Sequence, residues 1–169
     1  MTQTEGLLTQ IAEPQKGGKQ SCFLTSILNA WILRGGLSVV EAQEIQDRVA
    51  TDPEFSGYWY DQAQFGQDYT AWSGRPMDTA FAVQRIIGRK VALRISSSSA
   101  AEAMPLVVQT LEDGYAVVIG TSRHSRTAFV TEEQPDKLFI DDPRYPETTG
   151  LYEPDSLSDF HNSNVVVII

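Results

Sequence analysis

The chain holds 169 residues, 41% hydrophobic and 21% charged, and its 13 Lys and Arg against 22 Asp and Glu give a formal charge of −9. This length predicts one compact domain, residues 1–169, with core enough to fold without staples. The acidic balance excludes a basic face for phosphate backbones and disfavours docking on anionic lipid, so neither nucleic acid nor membrane is expected as a partner.

No apolar run nears the ~20 residues of a membrane span. Residues 1–13 contain no Lys or Arg and no long apolar core, so no Sec signal peptide is read there. The expected location is cytoplasmic, or outside the cell by a route that does not read such a signal. The single cysteine, Cys22, excludes an internal disulfide and a multi-cysteine metal site, and two histidines, His124 and His161, are too few for a histidine cage. No metal or organic cofactor is expected.

Taken in chain order, residues 1–14 read as an N-terminal extension with a short helix at 4–12, ended by Pro14. A polar loop, residues 15–21, leads into residues 22–33, a stretch apolar on most sides that Gly35 and Gly36 stop. A helix apolar nearly all round belongs in the middle of a domain. Ser38 and Glu41 have the spacing of a capping box and open a second helix that runs to about residue 50. Residues 51–76 read as loops with a short helix, 78–87 as helix, 90–95 as strand, and 100–112 as a helix entered through the serines 96–99. The last third reads as strands at 115–120, 124–131, 137–142 and 165–169, the second and third joined by a turn at 132–136. Helices first and strands later predict an α+β fold.

Cys22 is the first candidate for chemistry, because it stands where a Gly- and Lys-containing loop gives way to the apolar helix. Unpaired backbone N–H groups and the helix dipole stabilise a thiolate at such a position, and can lower a thiol from about 8.5 to ~3.5–7.5. A thiol nucleophile also needs a base near neutral pH. His124, between two predicted strands in the polar run 121–126, is that base, and His161 is its competitor. Asp141-Asp142-Pro143 ends the strand that the 132–136 turn folds back beside the histidine, so either acid is placed to orient an imidazole.

These pieces resemble a papain-like cysteine peptidase, and most closely its small bacterial branch, the double-glycine-leader (bacteriocin-processing) peptidases and related papain-fold effectors and toxins. The matching features are Gln15 in a Gly-containing loop, Cys22 opening an apolar helix, His124 beside a strand, Asp142-Pro143 ending the next strand, and the tail 160–169 with an aromatic followed by an apolar strand. The resemblance implies a central helix carrying the cysteine, packed on a C-terminal antiparallel sheet, and hydrolysis of an amide through an acyl-thioester. Cys22 would be the nucleophile, His124 the base and then the acid, and Asp142 the orienting group. The Gln15 side chain and the Cys22 backbone N–H would form the oxyanion hole, where a donor is worth ~3–4 kcal/mol.

The sequence departs from that pattern in three places. Gln15 lies seven residues before Cys22 rather than six, with Gln20 a rival; Phe23 replaces the usual small residue; and Ser125-Arg126 interrupts the aliphatic run after the histidine. A protein or peptide substrate is implied. The same nucleophile also suits deamidation or acyl transfer on a target protein, and a catalytically silent binding module of the same fold is the third reading. The aromatics at 58–60, 65, 69 and 72 read as packing in a loop-rich lobe, and Arg123 and Arg126 as solvated strand-end charges.

Overall fold

The computed structural model of the chain describes residues 6–9, 12–13, 19–20, 22–51, 88, 91–95, 100–120, 125–151 and 164–168. Two short strands, β1 (Ala12–Glu13) and β2 (Lys19–Gln20), pair antiparallel ahead of helix α1 (Cys22–Leu33). Helix α2 (Val39–Thr51) follows. Strand β3 (Val91–Ile95), helix α3 (Ala100–Glu112) and strand β4 (Ala116–Gly120) come next, then β5 (Ser125–Phe129), β6 (Phe139–Asp141), a 3-10 turn at Pro146–Thr148, β7 (Gly150–Leu151) and β8 (Asn164–Ile168).

The helix boundaries have local causes. α1 ends in a pair of reversed bonds, Gly36 N to Trp31 O at 2.8 Å and Gly35 N to Ile32 O at 2.9 Å, which satisfy carbonyls the helix leaves unpaired. Gly35 takes φ +75°, and a Cβ on Gly36 would fall 2.4 Å from the Trp31 ring. Glycine is therefore required at both positions. α2 starts with the reciprocal cap its sequence predicts: Glu41 N donates to Ser38 Oγ at 3.2 Å, and Ser38 N donates to Glu41 Oε2 at 2.8 Å.

The main sheet has six described strands in the order β3-β8-β4-β5-β6-β7, every neighbour antiparallel. β3 and β4 both run opposite to β8 between them, so they are parallel to each other, and α3 links them. The fold is α+β.

Strand alternation gives the sheet two different faces. On one, Val117, Ile119, Ala128 and Ile140 form an apolar cluster with Val107 and Leu111 of α3. On the other, Thr127 Oγ1 donates to the Ser26 carbonyl of α1 at 2.8 Å, and Phe129 and Phe139, opposite each other in the ladder, stack at 5.6 Å. α1 is thus sandwiched between this face and α2, with Ile27, Leu28 and Ala30 fully buried. No described helix is long and apolar enough to cross a membrane.

Two expectations need correction. The described residues of the helix expected at 4–12 are not helical: Gly6 has φ +92°, residues 7–9 have no regular structure, and Ala12 is already in β1. The Leu8 amide and carbonyl bond to the Asn29 side chain instead of to a helical turn, so a long-range amide outcompetes local propensity. Likewise Lys19–Gln20, expected in a polar loop, forms a strand with Ala12–Glu13. The helix expected at 78–87 and nearly all of 51–76 lie outside the described residues, as does the aromatic at 160.

Candidate functional site

Cys22 is the first residue of α1. The opening amides of a helix have no acceptor within the helix, and Cys22 supplies the first of them. Further along α1, the Ser26 carbonyl accepts from Thr127 of β5 and Asn29 reaches Asp141 of β6, which fixes the helix against the sheet.

Gln15, His124 and His161 lie outside the described residues, and of Gln20 only its backbone position in β2 is described. The acid pair is described in full, and its members part ways. Asp141 pairs with Thr127 in the ladder and points with it toward α1. Asp142 follows on the opposite face. There its Oδ2 accepts from Arg126 Nε at 3.0 Å, and its Oδ1 caps the following turn, accepting from the amides of Arg144 at 2.9 Å and Tyr145 at 3.2 Å. Arg126 is accordingly no solvated strand-end charge, as its position in the sequence had led us to expect. Its side chain is 16% exposed and salt-bridged to a carboxylate that is 7% exposed.

Asp141 has a different setting. It is 2% exposed, and its two oxygens accept from Asn29 Nδ2 at 2.9 Å and Thr149 Oγ1 at 2.8 Å. Burial holds its carboxyl above the ordinary carboxylate range against the lowering effect of those two bonds, and the neighbouring Asp142 adds to the rise. Asn29 links this acid to the N-terminal segment: its Oδ1 accepts from Leu8 N at 2.8 Å and its Nδ2 donates to Leu8 O at 2.9 Å. One carboxamide thereby imitates a strand partner for Leu8 and spends its remaining hydrogen on Asp141. Gln46 of α2 extends the network, donating to Thr9 O at 3.0 Å and Thr25 Oγ1 at 3.1 Å.

Sequence reasoning missed Asn29. The signal was present, since an asparagine in the middle of an otherwise apolar central helix has to find buried partners. Thr25 and Ser26 beside it are fully buried as well.

Among the described residues no group of three or more His, Cys, Asp or Glu side chains is gathered as a metal site would need. The arrangement offers instead a helix N-terminus bearing a cysteine, an interior strand that begins next in chain to a histidine, and two acids that serve opposite faces. In comparisons with protein-family models, curated proteins and solved structures, nothing matches the chain.

Proposed function

We propose that the chain is a cysteine-dependent amide-bond hydrolase of papain-like architecture acting on a peptide or protein. The observation that supports this reading is that Cys22 opens α1, the helix whose Ser26 carbonyl is bonded by β5 and whose Asn29 reaches β6. The strand β5 begins at Ser125, the residue after His124, and β6 ends at the Asp141-Asp142-Pro143 run. The resemblance would draw its nucleophile from α1 and its base and acid from the chain next to these two strands.

In this mechanism His124 takes the thiol proton and Cys22 Sγ attacks the carbonyl carbon. The oxyanion is held by the Cys22 N–H and the Gln15 amide. The tetrahedral species expels the amine, which leaves with the proton from His124, and an acyl-thioester remains. Water, deprotonated by His124, attacks that thioester; the acid departs and the thiol is restored. The resemblance gives the orienting role to Asp142, which Arg126 holds on the face away from α1, and Asp141 on the α1 face is its alternative.

The test is the pH dependence of Cys22 alkylation by iodoacetamide in the native chain and in His124→Ala. The expected result is rapid labelling well below pH 8, slowed or shifted by the histidine change. Labelling with the profile of an ordinary thiol would overturn the enzyme reading and leave a binding module. With a reactive thiolate in hand, intact mass on a candidate substrate separates a split chain from one about one dalton heavier, the signature of deamidation through the same acyl-enzyme chemistry.

A further inference from the structure

The N-terminal segment 6–9 lies over α1 and is held by side chains. Leu8 is 6% exposed, and its amide and carbonyl both end on Asn29, while the Thr9 carbonyl ends on Gln46. Beneath Leu8 comes Asn29, fully buried, and beneath Asn29 comes Asp141. Leu8, Asn29 and Asp141 thus form a chain of hydrogen bonds from the N-terminal segment to the carboxyl, which Thr149 closes on the far side.

No cation faces that carboxyl among the described residues. α1 contains no Asp, Glu, Lys, Arg or His, and β5 offers Thr127 at the paired position. The 146–151 segment offers Thr149, with Arg144 and Glu147 nearby in sequence exposed. The charges of α2, at Glu41, Glu44, Asp47 and Arg48, are exposed too. Asp142 is the charged group that acts on Asp141, and it repels. When Asp141 ionises, two neutral donors must hold a charge shut away from water.

Release of the N-terminal segment breaks three side-chain-to-backbone bonds, at Leu8 N, Leu8 O and Thr9 O, and frees the Asn29 side chain that bonds the carboxyl. We propose that residues 6–9 form a strap whose seating over Asn29 is controlled by the proton on Asp141, seated while the carboxyl is protonated and loosened as it ionises. This proposal is independent of the chemistry assigned to Cys22. The direction follows from linkage: the state that binds the proton more tightly is favoured at low pH. With the segment seated on Asn29, Asp141 is 2% exposed and the protonated form is favoured, so the strap closes in acid and loosens as pH rises above the ordinary carboxylate range.

Amide hydrogen exchange on the full chain reads this directly, because the Leu8 N–H is itself one of the strap's bonds. After correction for the intrinsic rate, Leu8 protection should fall severalfold between pH 4.5 and pH 8, while the amides of β4 keep theirs. In Asp141→Asn, which retains both partners because the Thr149 hydroxyl can accept as well as donate, the profile should be flat. In Thr149→Val, which removes a donor to the carboxylate, loosening should move to higher pH. A flat profile in the native chain overturns the proposal, as does an unchanged slope in Asp141→Asn. Equal loss at Leu8 and in β4 also overturns it, since that would be global unfolding rather than release of a strap.

Discussion

The two faces of the central sheet differ in the polar groups they bury. Against α3 the contacts are aliphatic: Val107, Leu111, Val117, Ile119, Ala128 and Ile140. Against α1 the same strands present Thr127 and Asp141 beside the stacked Phe129 and Phe139, and the helix answers with the Ser26 carbonyl and the Asn29 side chain. An apolar face tolerates small shifts, since dispersion and burial have no direction. A hydrogen-bonded face does not, because each buried donor or acceptor left unmatched costs about 1–3 kcal/mol. The face that fixes α1, and with it the backbone of Cys22, is the one with directional bonds. The α3 face supplies stability, and the α1 face supplies register.

Nearly isosteric substitutions separate the two kinds of face. Asn29→Asp changes little in volume but removes the donors to Leu8 O and to Asp141 and sets a second carboxyl 2.9 Å from the first. Two broken donor bonds and a like-charge contact predict a loss of about 3–5 kcal/mol, read by urea denaturation at pH 7. A loss below about 1 kcal/mol would mean that the polar layer does not fix the register.

Asp141→Asn tests the same layer through pH. The native carboxyl lies above its ordinary value, so its contribution to stability is complete below about pH 3.9 and is lost as pH rises through the folded-state value. Native stability should therefore decline over that window relative to the variant, which should lack this component. Parallel curves for the two proteins would assign the burial of Asp141 no weight in the fold. Ile119→Val is the counterpart on the α3 face. It deletes one methylene at a site 1% exposed and predicts about 0.5–1.5 kcal/mol with no change in the pH profile.

What the sequence disclosed divides along the same line. The bounds of α1 were legible because an apolar run met Gly35-Gly36, and the start of α2 because Ser38 and Glu41 stand three apart. The β5–β6 hairpin was legible from alternation and one turn. Each of these signals is local. The insertion of β8 between β3 and β4, the pairing of β1 with β2, and the seating of Leu8 on Asn29 are choices among distant partners, on which neither period nor propensity bears. For the candidate site, Cys22 and the acid pair could be picked out by residue type and place. Only the register revealed that Asp141 and Asp142 turn to opposite faces and that Arg126 occupies Asp142. The asparagine that ties the segment before α1 to the acid was hidden among its apolar neighbours.

The smallest effect is expected at Ser38, whose value lies in its distance from both faces. Its hydroxyl accepts from Glu41 N at 3.2 Å and donates to Glu41 Oε2 at 2.8 Å, in an exposed first turn. Ser38→Gly keeps a residue tolerated at a helix cap and predicts a loss of only a few tenths of a kcal/mol. Gln46, which holds the Thr9 carbonyl, lies two turns further along α2, beyond the reach of end fraying. Leu8 exchange in Ser38→Gly should thus match the native chain at every pH. Loss of Leu8 protection in this variant would show that the start of α2, rather than Asn29 and Asp141, seats the N-terminal segment, and the directional character assigned to the α1 face would then belong to the helix pair instead.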